Sequence, residues 1–294
     1  MQDYGSVESA PILPRGASRV WASLGLLAAA LLVAVPVYGG WLSGGVEDIY
    51  RFGMPLLWGG LALATTRTSR LAPFRALLLS LFGVSLGFAL AHIVGSWPTE
   101  TLRLSPATPA GAAVAKITSE VIPVSASIFL AAFLAQLSLE SLGLRGGRVW
   151  LSLGLGIVAS VPLLAYFLLD PSGVSKAVLT LPVATLLSWL PWLVAFSVAN
   201  GFMEELWFRG LWFATFKQVV GPSAAMHVTS VAFCAMHVIV YWGNPTAIVM
   251  LTPAWLYMGY AYAVIVRKTG SVWGPVLAHA IADVMFMYIY FTSV

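Results

Sequence analysis

The sequence predicts an all-α, polytopic membrane protein of about eight to nine transmembrane helices, on three observations. Hydrophobic residues make up 60% of the 294-residue chain and charged residues only 9%, where a soluble domain carries about 25% charged side chains. The apolar residues gather in runs near 20, the length that crosses a bilayer as a helix. The alternating short strands of a transmembrane barrel are not seen.

The elements follow in order. Residues 1–19 are polar, with Pro11, Pro14, Arg15 and Arg19, and read as a disordered tail. Basic residues ahead of an apolar run also describe a signal peptide. The run from Val20 to Tyr38 is long for one and many spans follow it, which favours an uncleaved anchor. Spans are expected near 20–39, 52–66, 73–95, 121–139, 149–169, 177–199, 224–242, 246–266 and 271–292. The second is short enough to be re-entrant. Residues 96–119, with Pro98, Pro106 and Pro109, form the longest expected connection. Residues 200–217 continue the sixth span. One helix from 177 to 217 would be about 60 Å long at 1.5 Å per residue, too long for a straight crossing. A break or tilt near Pro182, Pro191 and Gly201, or a separate span, is therefore expected.

Charge sets the orientation. With the N-terminus inside and nine crossings, the inside loops hold Arg15, Arg19, Arg67, Arg70, Arg75, Arg145, Arg148, Lys217, Arg267 and Lys268. The outside loops hold Arg51, Arg103, Lys116 and Lys176. This bias obeys the positive-inside rule and puts the N-terminus in the cytoplasm and the C-terminus outside. The net charge of +4 is then topological, and no nucleic-acid partner is expected. Cys234 is the single cysteine, which leaves no intramolecular disulfide and no cysteine cluster for zinc or iron–sulfur.

Inside the apolar part lies Gly201-Phe-Met-Glu204-Glu205-Leu-Trp-Phe-Arg209-Gly210. A charge at the bilayer centre costs roughly 2.5–3.5 kcal/mol, so a cluster of three marks a functional site. Later spans add His237 and the i, i+4 pair His279 and Asp283. Counted from the span starts, Glu204, His237 and His279 fall about 12–20 Å from the cytoplasmic face, at 1.5 Å per residue. A carboxylate in a water-accessible apolar cavity, paired with an imidazole, can hold and deprotonate water. A second imidazole and a protonated or amide side chain opposite can stabilise an oxyanion. Glu205 and Arg209 balance each other, since either alone in lipid is expensive. This is the outline of a hydrolase that cuts amide bonds within the membrane.

Glu-Glu-x-x-x-Arg, then Phe-x-x-x-His, then His-x-x-x-Asp, in that order on successive helices, resembles the CPBP family. These are the CAAX-protease and bacteriocin-processing intramembrane glutamic endopeptidases, also called the Abi family. The resemblance covers roughly residues 180–294, with Glu204 to Gly210 spelled nearly as in the family. It implies that Glu204 is the catalytic base acting with His237 on water. It implies an oxyanion hole from His279 and Asp283, and a brace from Glu205 with Arg209. Many members have Asn at the position of Asp283, and an ionised Asp283 would repel an oxyanion.

The domain organisation expected is a tail over 1–19, transmembrane helices of unassigned role over 20–175, and a catalytic bundle over 176–294. The chain is expected in a cell membrane, with its compact size favouring a bacterial cytoplasmic one. Expected partners are the bilayer and a membrane-associated protein or peptide, lipidated or not. The candidates are a CAAX-type C-terminus, a peptide leader and a C-terminal sorting tail, cut near the cytoplasmic side. Glu204, His237 and His279 make a legitimate zinc set, but His-Glu-x-x-His is missing and the resemblance implies a metal-independent mechanism, so no cofactor and no metal are expected. The alternatives are a non-proteolytic scaffold or bacteriocin-immunity-type protein of the same fold, and a transporter whose Glu/His cluster relays protons. No inverted repeat supports the transporter. His92 and His227 match no motif and are assigned to structure. Glu120 and Glu140 are read as interfacial, flanking the fourth span. Trp41, Trp58, Trp97, Trp150, Trp242 and Trp273 are read as an aromatic belt.

Overall fold

The computed structural model describes residues 11–13, 16–169 and 182–293; the rest of the expected tail, Lys176 and the expected start of the sixth span lie outside the described residues. No strand forms among them. Eight helices among the described residues are long and apolar enough to cross a membrane, so the chain is a multi-pass helical membrane protein. Large apolar side chains such as Leu56, Phe133, Trp150 and Val249 stand well exposed around the bundle. Lipid, not water, is the solvent that makes such a surface cheap.

The helices run α1 (Ala17–Tyr38), α2 (Gly44–Ala64), α3 (Arg75–Val94) and the short α4 (Trp97–Thr101). Next come α5 (Pro109–Ala115), a π-helical segment Lys116–Val121, and α6 (Ile122–Leu134). α7 is Val149–Leu168. α8 (Val183–Glu205) passes through a second π-helical segment, Leu206–Trp212, into α9 (Phe213–Val220). α10 (Pro222–Val240), α11 (Pro245–Thr269) and α12 (Trp273–Ser293) complete the bundle.

Three expectations need correction. The connection expected over 96–119 is largely helical. Thr108 caps α5 by accepting from the Gly111 N–H at 3.2 Å, Pro109 fits the first helical position where no N–H is needed, and 109–134 is one continuous span. The expected break near Gly201 does not occur, because Val183–Val220 is a single helix of 38 residues. Its first part is lipid-facing, with Val183 and Leu187 exposed, while Leu206, Trp207, Phe208, Leu211, Trp212 and Phe216 are fully buried. The excess length is absorbed inside the protein. Finally, the expected short second span is a helix of 21 residues, Gly44–Ala64, and Glu47, Asp48 and Arg51 in its first turns keep it out of the eight candidates selected by length and composition.

Packing places the long helix at the centre. The second π segment touches α3, α6, α10 and α11, while α12 packs along both α7 and α8. α3 and α6 approach closely because Gly83 and Gly87 present no side chain: a Cβ would fall 2.4 Å from Ala131 Cβ and 2.7 Å from Val124 Cα, respectively. This is the small-residue packing that membrane helices use in place of a hydrophobic driving force.

Candidate active site

The α8–α12 seam builds the site in rungs one helical turn apart. On α8, Phe196, Asn200 and Glu204 share a face at i, i+4 spacing, and on α12 Met287, Asp283 and His279 do the same in reverse. Asn200 Nδ2 donates to Asp283 Oδ2 at 2.8 Å. A turn further on, Glu204 Oε2 lies 3.9 Å from His279 Nε2. α10 brings His237 Nε2 to 3.5 Å from the same oxygen. Gly201 lets the seam close, since a Cβ there would lie 3.2 Å from both His279 Cβ and the Val276 carbonyl oxygen.

The expected residues therefore meet, and their hydrogen bonds fix the imidazoles. His237 Nδ1 lies 2.9 Å from the Phe233 carbonyl oxygen, an acceptor only, so Nδ1 carries the proton and Nε2 faces Glu204. His279 Nδ1 lies 2.9 Å from Glu205 Oε1, which also accepts from Arg209 Nη1 at 2.9 Å. Glu205 thus ties His279 to Arg209. Arg209 donates on to the carbonyls of Met258 and Gly259 at 3.2 and 3.1 Å, and its guanidinium stacks over Phe233 at 4.4 Å. Glu205, Arg209 and His279 are buried, and His237 and Asp283 keep some exposure. Glu204 Oε2 and His279 Nε2 are buried without a hydrogen-bond partner, aimed at one point.

Sequence reasoning missed three residues. Asn200 was visible as an amide one turn before Glu204 in an apolar helix. Lys116 and Glu120 were not, because they were assigned to a loop and an interface. They lie instead in the first π segment and pair at 2.8 Å, and Tyr38 donates to Glu120 Oε1 at 2.6 Å. Lys116, Glu120 and Tyr38 line a cavity of about 630 Å³ whose wall includes Phe196 and Met287, the next rung of the seam. The cavity lies where α1, α3 and α12 end, and His237 is in the last turn of α10. The cavity therefore opens at the end of the bundle away from Arg75, Arg148 and Lys217.

The residues assigned to structure find bonds or edges. His92 bonds Asp48 at 2.8 Å, and His227 bonds Tyr260 at 3.1 Å. Trp41, Trp97, Trp150 and Trp242 are exposed, whereas Trp273 stacks on Phe202. Trp58 lies inside α2, away from either end. Glu204, His237 and His279 can also bring three ligand atoms within 4.8 Å of one another, close enough to hold a metal ion.

No curated protein and no solved structure matches this chain. The family described as type II CAAX prenyl endopeptidase Rce1-like matches residues 186–285, a stretch that contains Asn200, Glu204, Glu205, Arg209, His237, His279 and Asp283. The match is to a membrane-protease family of the kind that the three sequence motifs resemble.

Proposed function

We propose that this protein is an intramembrane endopeptidase in which Glu204 and His237 activate a water against a peptide bond of a membrane-associated substrate. The carrying observation is the approach of His237 Nε2 to Glu204 Oε2 at 3.5 Å, with the His237 tautomer set by Phe233. That spacing exceeds a direct hydrogen bond and suits one small molecule contacting both groups.

Glu204 takes a proton from water as its oxygen adds to the substrate carbonyl carbon, and the carbonyl oxygen becomes an oxyanion. When His279 carries protons on both nitrogens, it donates Nδ1–H to Glu205 and Nε2–H to that oxyanion. The C–N bond then breaks, the leaving nitrogen takes the proton from Glu204, and two chain ends result. Asp283, tethered by Asn200, sits 3.7 Å from His279 Nε2 and orients the ring. Glu205 and Arg209 hold His279 from behind.

The substrate class supported by the family is a lipid-anchored or membrane-inserted peptide. Basic residues in the loops at one end of the bundle support a cytoplasmic N-terminus, which puts the cavity on the outer side. The test is comparative peptidomics of membranes carrying wild type, Glu204→Gln or no protein. Peptides that lose a terminal segment only with wild type name the cut site. A Glu204→Gln profile identical to wild type would sink the catalytic reading and favour a scaffold.

A second reading has one observation behind it. The convergence of Glu204, His237 and His279 within 4.8 Å, with His279 backed by a carboxylate, matches the carboxylate–histidine arrangement around zinc. Stoichiometric zinc in purified protein, with cleavage lost on chelation and restored by zinc, would select it. Full activity in metal-free protein would select the Glu/His pair.

A further inference from the structure

We infer that Lys116 is the docking cation for a substrate's terminal carboxylate, so that the site selects peptides cut close to their C-terminus. The inference rests on the protease reading and deepens it.

Four observations converge on Lys116. The first is the cavity, whose lining carries the cations Lys116 and Arg51 together with His92, against the single carboxylate of Glu120. Arg51 and His92 already pair with Glu47 and Asp48, so Lys116 and Glu120 are the charges that a ligand there meets. The second is the bonding of the cations. Lys116 Nζ pairs with Glu120 Oε2 at 2.8 Å, and Arg51 is held by Glu47 at 2.6–2.7 Å. An ammonium has three N–H donors, so Lys116 retains donors for a ligand while Glu120 fixes its position.

The third is depth. The Lys116 side chain is only 15% exposed, and Tyr38 anchors its partner Glu120 from α1. A hydrogen bond to a charged group strengthens where water is excluded. The fourth is the backbone, because Lys116–Val121 is π-helical and packs on α8. Such segments are rare overall and frequent at functional sites.

Placement then sets what is bound. Phe196 and Met287, which line the cavity with Lys116, stand two helical turns along the seam from Glu204 and His279. A carboxylate held by Lys116 is thus separated from the water-activating pair by a short length of chain. An extended peptide advances about 3.3 Å per residue, so the scissile bond lies a few residues from the terminus. A peptide running on past the cavity would bring an amide, not a charge, to Lys116.

The test uses a farnesylated CAAX heptapeptide made as the free acid and as the C-terminal amide, cut by full-length protein in detergent. Wild type is expected to prefer the acid by about 10- to 100-fold in kcat/KM, mostly through KM, the range of one charge-assisted hydrogen bond. Lys116→Gln is expected to remove the difference, Lys116→Arg to restore much of it. Glu120→Gln, which releases Lys116 from its internal partner, is expected to keep or widen it, and it stands in should Lys116→Gln fail to fold. Equal cleavage of both peptides by wild type overturns the inference and leaves the protease reading intact. A preference that survives in folded Lys116→Gln also overturns it. Cleavage of neither peptide by wild type removes the CAAX protease reading and the inference with it.

Discussion

Asn200 and Asp283 hold each other across the α8–α12 seam, amide nitrogen to carboxylate oxygen at 2.8 Å, one turn from the approach of Glu204 to His279. The pair explains how a carboxylate is tolerated at a position where the resembling family often has an amide. The amide is supplied from the facing helix. Asp283→Asn should therefore keep cleavage within a few-fold, since the introduced amide can still accept from Asn200. Asn200→Leu leaves the carboxylate without its donor, at a cost of about 1–3 kcal/mol. Its kcat should fall at least tenfold with KM little changed. A kcat in Asn200→Leu equal to wild type would show that the pair only packs.

Gly201 tests how closely the seam must close. An added Cβ would press on His279 Cβ and on the Val276 carbonyl, each at 3.2 Å, and neither can swing aside as a long side chain would. Gly201→Ala should slow cleavage while the protein still folds, because His279 is pushed off its line to Glu204. Gly201→Val adds bulk and should lower the Tm as well, overpacking costing about 1–3 kcal/mol. Thermal melting in detergent beside initial rates separates the two effects.

The acidic pair divides its labour, and mutation should split it. Glu204→Gln is nearly isosteric and removes the base, so cleavage should be lost while extracted yield and Tm persist. His237→Ala should do likewise. Glu205→Gln and Arg209→Ala break a buried pair whose loss typically costs about 3–5 kcal/mol, so they should mainly reduce folded yield. Size-exclusion profiles and rates on the same preparations decide. Wild-type yield with Arg209→Ala would contradict the bracing role.

Much of this was legible in the sequence, for physical reasons. Charged residues in apolar runs are costly enough to stand out, so Glu204, Glu205, Arg209, His237, His279 and Asp283 were singled out by type, and the fold brings them together. The eight crossings followed from hydropathy. What failed was local. Pro98, Pro106 and Pro109 suggested a loop over 96–119, but Pro109 opens a helix capped by Thr108. That error hid Lys116 and Glu120, which the π segment turns toward the cavity. The unbroken helix of 38 residues could not be chosen from the sequence over a break or a separate span, because the same apolar run fits all of them. Register in a π segment depends on which turn gains a residue, and no apolar period records that.

The last expectation concerns which side the cavity opens on. Arg145 and Arg148 lie in a loop tied to the α11–α12 turn, where the Arg148 N–H donates to the Thr269 carbonyl at 2.7 Å. Arg267 and Lys268 stand at the same end. Gly45 in the first turn of α2 follows α1 at the other end, near the cavity that Tyr38 and Arg51 line. Cys234 is buried, so a Cys234→Ser background should be blank to a charged, membrane-impermeant maleimide. In that background Gly45→Cys should react in intact cells. Gly146→Cys, in the loop between α6 and α7, should react only after the membrane is opened. The reverse pattern would place the basic loops outside, against the positive-inside rule, and would turn the cavity to the cytoplasm. A substrate reaching the site from the outer face must be membrane-inserted or exported, so the labelling result also selects among the peptides worth testing.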